Sequence, residues 1–95
     1  MSVTFIINFN IKPENTVVFA NIMQDVKAGL PHVEGCLGVD IHQNSEDNLS
    51  YMLVEVWQSQ ALHQAHIARL TANGEWDKIA GLLAIDPEGH YYRVL

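Results

Sequence analysis

The chain has 95 residues, 48% of them hydrophobic, and a formal net charge of -6 with histidine neutral. That length makes one domain, residues 1–95, able to bury roughly two-thirds of its unfolded surface, and the apolar share excludes a disordered segment. Five Lys and Arg against eleven Asp and Glu leave no basic patch to neutralise phosphates, so neither nucleic acid nor an anionic membrane surface is an expected partner.

The single cysteine, Cys36, cannot form an internal disulfide and suits a reducing compartment. No basic region precedes the first apolar residues, and no apolar run approaches the ~20 residues of a membrane span. The expectation is a cytoplasmic protein.

Residues 3–11 alternate, with Val3, Phe5, Ile7, Phe9 and Ile11 on one face and Thr4, Ile6, Asn8 and Asn10 on the other, which predicts a strand. Lys12 and Pro13 end it, and Pro13 suits a helix start because its missing N–H would be unpaired there anyway. Val18, Phe19, Ile22, Met23 and Val26 recur at helical spacing, predicting a helix over 15–30 that stops at Gly29 and Pro31. A second strand is predicted over 36–43, with Leu37, Val39 and Ile41 on one face, then a polar hairpin loop over 44–48. The third strand is residues 51–57. Ser59 caps a helix over 59–70, a break follows at 71–74, and a shorter helical stretch over 75–84 buries Trp76, Ile79 and Leu82 or Leu83. A turn at 87–89 leads to a last strand over 90–95.

The order β-α-β-β-α-β, with the second helix in two pieces, is a ferredoxin-like α+β arrangement: an antiparallel sheet with helices on one side. Both faces of the third strand are apolar, Tyr51, Leu53 and Trp57 on one and Met52, Val54 and Val56 on the other. A one-sided sheet should turn a polar face to water. The second apolar face, with Ile6 from the first strand, is therefore expected to be covered by a second copy of the chain, giving a homodimer.

The densest chemistry lies where the third strand meets its helix. Glu55 and Trp57 share a strand face, and the helix must fold back across it to bury Ala61, Leu62 and Ala65, carrying His66 to the same side. A carboxylate, an indole and an imidazole are expected to converge. Trp57 would stack on an aromatic ligand or donate its N–H to an oxyanion; His66 would serve as general base. The alternative is that both are core residues. Glu55 must be paired if buried, and Arg69, one turn after His66, is the candidate partner. Tyr51 offers the only other hydroxyl on that strand face. Its expected role, with Glu55 and Arg69, is substrate binding.

His63 and His66 are spaced to share a metal ion, but no third ligand is evident, so no metal is expected. His32, His42 and His63 read as solvated surface side chains, and His90 has no assigned role. No Gly-rich phosphate loop or nucleophile elbow is present, and no cofactor is expected. Cys36 has no basic neighbour and reads as a small core residue.

The chain resembles the antibiotic biosynthesis monooxygenase (ABM) family of the dimeric α+β barrel superfamily. The resemblance rests on Ile11-Lys12-Pro13 ending the first strand, Glu34-Gly35-Cys36-Leu37-Gly38 opening the second, and Glu55-Val56-Trp57 closing the third, followed by Ala61, Leu62 and His66. It covers nearly the whole chain and implies a homodimeric α+β barrel with a cavity between sheet and helices, lined by the residues matching Trp57 and His66. Haem-degrading relatives carry an Asn on the first strand facing that cavity; here Asn8 and Asn10 face away and Ile7 takes the place. The resemblance implies a cofactor-independent monooxygenase of a small phenolic or quinol-type aromatic. Two further readings stand beside it: a non-catalytic small-ligand-binding dimer, and an acid–base isomerase of a small carbonyl compound.

Overall fold

A computed structural model describes residues 2–95 of the chain. Its elements run β1 (Val3–Asn10), α1 (Thr16–Gly29), β2 (Cys36–Asn44), β3 (Asp47–Trp57), α2 (Gln60–Ala72), α3 (Glu75–Ala80) and β4 (Glu88–Tyr92), with single 3-10 turns at Pro13–Asn15 and Leu30–His32. The four strands form one antiparallel sheet in the order β2-β3-β1-β4. This is the ferredoxin-like α+β arrangement read from the sequence.

The alternation of β1 decides which face is buried. Ile7 and Phe9 turn under the helices with Tyr51 and Leu53 of β3, and Phe19 and Met23 of α1 close over them. Phe19 meets the Phe9 ring edge-on at 5.6 Å and Tyr51 at 5.0 Å, separations at which aromatic pairs gain beyond plain burial. Trp76 and Ile79 of α3 pack against the same cluster. The segment after α3 is tied to the end of β1 by three backbone hydrogen bonds and bridges, Lys12 N–H to Leu82 O, Ala84 N–H to Asn10 O, and Ile11 beside Leu83.

Several boundaries differ from the sequence reading. The β2–β3 connection is a two-residue turn at Ser45 and Glu46, with Asn44 Oδ1 accepting the Glu46 N–H at 2.8 Å, so β3 begins at Asp47. Asn44 therefore acts as the turn's Asx residue instead of opening a loop. A register shift between Cys36 and Gly38 throws Leu37 out of the ladder, and it is 56% exposed rather than sharing a face with Val39 and Ile41. Helix α3 stops at Ala80, and β4 spans Glu88–Tyr92 instead of 90–95.

The opposite sheet face carries Ile6, Val54 and Val56, with Met52 39% and Tyr92 50% exposed. Asn8, Asp40 and His42 surround it. An apolar centre with a polar rim is the composition of a contact surface.

Candidate active site

The corner between β3 and α2 sets the geometry of the site. Ser59 Oγ accepts the Leu62 N–H at 3.2 Å and caps α2. Gly35 lets the helix come down: it sits at φ 88°, and a Cβ there would lie 2.7 Å from Leu62 Cβ. Its carbonyl accepts the Gln58 N–H at 2.8 Å. A side chain at 35 would push α2 off the sheet and open the corner.

Under that corner, Glu55 and Trp57 bond to each other. Trp57 Nε1–H donates to Glu55 Oε1 at 2.9 Å. Trp57 is fully buried, and the His63 and His66 rings cover it at centroid distances of 5.2 and 5.3 Å. The expectation that Trp57 lines the cavity gives way to a different placement: it lies beneath the two imidazoles and reaches the cavity only through Glu55.

The cavity lies between the sheet and all three helices, with a volume of about 440 Å³. Phe5, Ile7 and Leu53 form its floor and Val26 and Trp76 two of its walls. Glu55 and His66 reach it from the β3–α2 side, and Asp25, Glu75 and Lys78 stand around it. Such a space, mostly apolar with a few converging polar groups, is the usual form of a small-molecule site.

Electrostatics follow from burial. The Glu55 carboxyl is raised above its ordinary value by burial, partly offset by the Trp57 N–H. The His66 imidazole is lowered, first by burial and then by the nearby Arg69 charge, with Glu75 pulling the other way. His66 is thus neutral at neutral pH, the form that accepts a proton.

Two expected substrate-binding residues sit elsewhere. Tyr51 is buried against Phe19, and its hydroxyl accepts a hydrogen bond from Gln43 Nε2 at 3.1 Å on the β2 side, away from the cavity. Arg69 is exposed and makes no ion pair with Glu55. α2 points that side chain outward, and Trp57 supplies the partner that Arg69 was expected to provide.

His63 was expected on the surface and is instead 2% exposed. Its Nδ1 lies 2.6 Å from the Tyr91 hydroxyl, its Nε2 3.9 Å from Glu55 Oε1, and its ring is 4.1 Å from the Phe5 ring. Burial, and secondarily His66, lower it to about 4. The sequence signal was there in part: Gly89 and Tyr91 alternate on one strand face, so a side chain above β4 finds an empty place followed by a hydroxyl. Among the described residues, no three His, Cys, Asp or Glu side chains group as a metal-ligand set. No described helix is long and apolar enough to cross a membrane.

Residues 2–70 match the antibiotic biosynthesis monooxygenase (ABM) family. The chain belongs to that family. Solved structures share the fold at low identity. A conserved protein from Methanosarcina mazei Go1 is 19% identical with a TM-score of 0.85, over 98% of this chain and 92% of that one. Rv0793 from Mycobacterium tuberculosis is 15% identical with a TM-score of 0.86, over 100% and 96%. A mutant of SnoaB from Streptomyces nogalater, described as a cofactor-independent oxygenase, is 15% identical with a TM-score of 0.81, over 98% and 92%. No curated protein matches the chain. Within the ABM family match lie both the Glu55–Trp57 pair and His66, whereas Tyr91 lies beyond it.

Proposed function

We propose that this ABM-family chain is a monooxygenase that works without a bound cofactor on a small phenolic or quinol-type aromatic, in the cytoplasm and as a homodimer. The observation that carries this reading is His66. It is a neutral, half-buried imidazole at the wall of an apolar cavity of about 440 Å³. An electron-rich aromatic fits such walls, with the Phe5 and Trp76 rings available for stacking. His66 takes the hydroxyl proton, and the resulting anion transfers electrons to O₂ directly. Glu55, anchored by Trp57, holds a second polar group of the substrate, and Arg69 tunes the basicity of His66 from outside. The SnoaB likeness supports the reading by analogy of fold.

The test is oxygen uptake with anthrone- and hydroquinone-type substrates under air. Wild type should consume O₂ and His66→Ala should lose most turnover; equal behaviour of the two counts against the proposal. The cavity floor of Ile7 and Leu53 offers no hydrogen-bond donor for an oxyanion. That feature favours a second reading, a non-catalytic small-ligand-binding dimer. Binding of the same aromatics without O₂ uptake would select the binding module.

A further inference from the structure

Glu55 is only 7% exposed, and the hydrogen bond from Trp57 occupies one of its two oxygens, Oε1. Among the described residues nothing bonds to the other, Oε2, and it is not sealed from solvent as His63 Nε2 is. Since Glu55 lines the main cavity, Oε2 opens on it. A smaller cavity beside the β4 edge, of about 330 Å³, is lined by no carboxylate.

The Glu55 carboxyl has no cation of its own. His63 Nε2 stands 3.9 Å from Oε1, too far for a hydrogen bond. Burial lowers that imidazole to about 4, so it is uncharged at neutral pH. His66 is lowered as well. Among the described residues no Lys or Arg comes within ion-pairing distance of Glu55. Holding the indole does not require a charge, because an amide oxygen would accept the same N–H. A buried carboxylate without a cation is costly, and a cation entering the cavity offsets that cost.

The rest of the lining favours the same sign. Phe5, Phe9 and Trp76 present aromatic side chains to the cavity, and ring faces attract cations. Asp25 of α1 and Glu75 and Lys78 of α3 stand around it. Glu75 and Lys78 are three positions apart on α3, neighbours whose charges offset each other. Asp25 and Glu55 then set the local potential, in a chain of net charge -6. Such a field draws positive ligands inward.

We propose that the ligand of the main cavity is a small arylalkylamine, bound as its ammonium, which donates an N–H to Glu55 Oε2 while its ring lies among Phe5, Phe9 and Trp76. The proposal rests on the reading of that cavity as the substrate site, and it assigns the polar group that Glu55 holds. A hydrogen bond between ammonium and carboxylate is roughly twice as strong as a neutral one. Trp57 fixes the carboxyl by Oε1 and leaves Oε2 for the incoming group.

The probes are phenethylamine, phenethyl alcohol and phenylacetate, of similar size and differing in the charge of one group. Each is titrated into the full chain by calorimetry at neutral pH. None carries a ring hydroxyl, so the outcome does not depend on proton transfer to His66 or on O₂ uptake. Wild type should bind the amine about ten- to a hundredfold more tightly than the alcohol, the gain of a hydrogen bond between charged groups. Phenylacetate should bind most weakly. Glu55→Gln keeps an acceptor for the indole and should erase the preference for the amine, with affinity for the alcohol unchanged. Thermal melts establish that the variant is folded. Should it fail to fold, the wild type answers alone: by NMR of the labelled Glu55 carboxyl carbon, the group should titrate at lower pH with the amine than with the alcohol. The proposal is overturned if wild type fails to bind the amine at millimolar concentration, or binds it no more tightly than the alcohol. It is overturned equally if Glu55→Gln keeps the preference, or if the Glu55 carboxyl titrates alike with both probes. Any of these with O₂ uptake intact removes the amine and keeps the oxygenase; amine binding without O₂ uptake does the reverse.

Discussion

Glu55 and Trp57, two positions apart on β3, close a hydrogen bond of 2.9 Å between a buried carboxylate and a fully buried indole. Each satisfies a polar atom that would otherwise be stranded. Glu55→Ala should therefore cost about 2–3 kcal/mol in urea unfolding, because the indole N–H is left without an acceptor. Glu55→Gln keeps an amide oxygen in place and should change stability by less than ~1 kcal/mol. Equal losses for the two variants would show that packing, not the hydrogen bond, sets the effect.

Replacement of His66 should separate chemistry from folding. The ring is half-buried over Trp57, at a centroid distance of 5.3 Å. His66→Ala should lower turnover of a quinol substrate by roughly 10²–10⁴-fold, the usual span for loss of a general base, while the chain stays folded by circular dichroism.

Stability should depend on mildly acidic pH through His63. Its folded value is about 4 against an ordinary 6.5, with burial the main cause. Between those values the unfolded chain binds a proton that the folded chain refuses, so stability rises with pH there. The contribution is fully present above pH 6.5 and is lost as pH falls to about 4, a span worth about 3 kcal/mol. His66, also lowered, acts in the same sense. Glu55, raised by burial, opposes it above its ordinary 4.5. Urea titrations across this window should show a shallower slope for His63→Gln than for wild type.

Gly35→Ala should destabilise by about 1–3 kcal/mol. The residue sits at φ 88°, and the added methyl would meet Leu62 at 2.7 Å, combining backbone strain with overpacking at the corner. Because that corner positions His66, ligand affinity should fall with it; equilibrium unfolding and ligand titration check both.

The apolar sheet face should mediate the dimer. Val54→Lys places an unpaired charge at its centre, between Ile6 and Asp40 in the register, at a cost of several kcal/mol on burial. Light scattering at micromolar concentration should give a dimer for wild type and a monomer or aggregate for the variant. A monomeric wild type would remove the basis for this prediction.

The strands were readable because their alternation is regular. Phe5, Ile7 and Phe9 on β1 and Leu53 and Glu55 on β3 lie on the predicted face, and His66 does come down to the cavity. What escaped the sequence depended on contacts between distant segments. Leu37 left its face because of a register shift, which a local pattern does not reveal. His63 was misplaced because α2 has no clear apolar stripe and its burial depends on the Gly89 gap and Tyr91, some 28 residues away. Trp57 shared the face of Glu55 as expected, yet two imidazoles cap it. Arg69 had the right spacing for Glu55 but the wrong side of the helix.

The main cavity has a thermal consequence. A ninety-five-residue fold with a cavity of about 440 Å³ between its layers has mostly apolar walls there that can gain dispersion contacts from a bound molecule. A molecule that fills the space supplies them, and does so only in the folded state. At a hundred times its Kd such an occupant adds about 2.7 kcal/mol, and in a domain of this size each kcal/mol moves the melting temperature by roughly 4–8 °C. The fold thus acts as a thermometer for its own ligand: melting curves in the presence of small aromatics can rank occupants before any turnover has been observed.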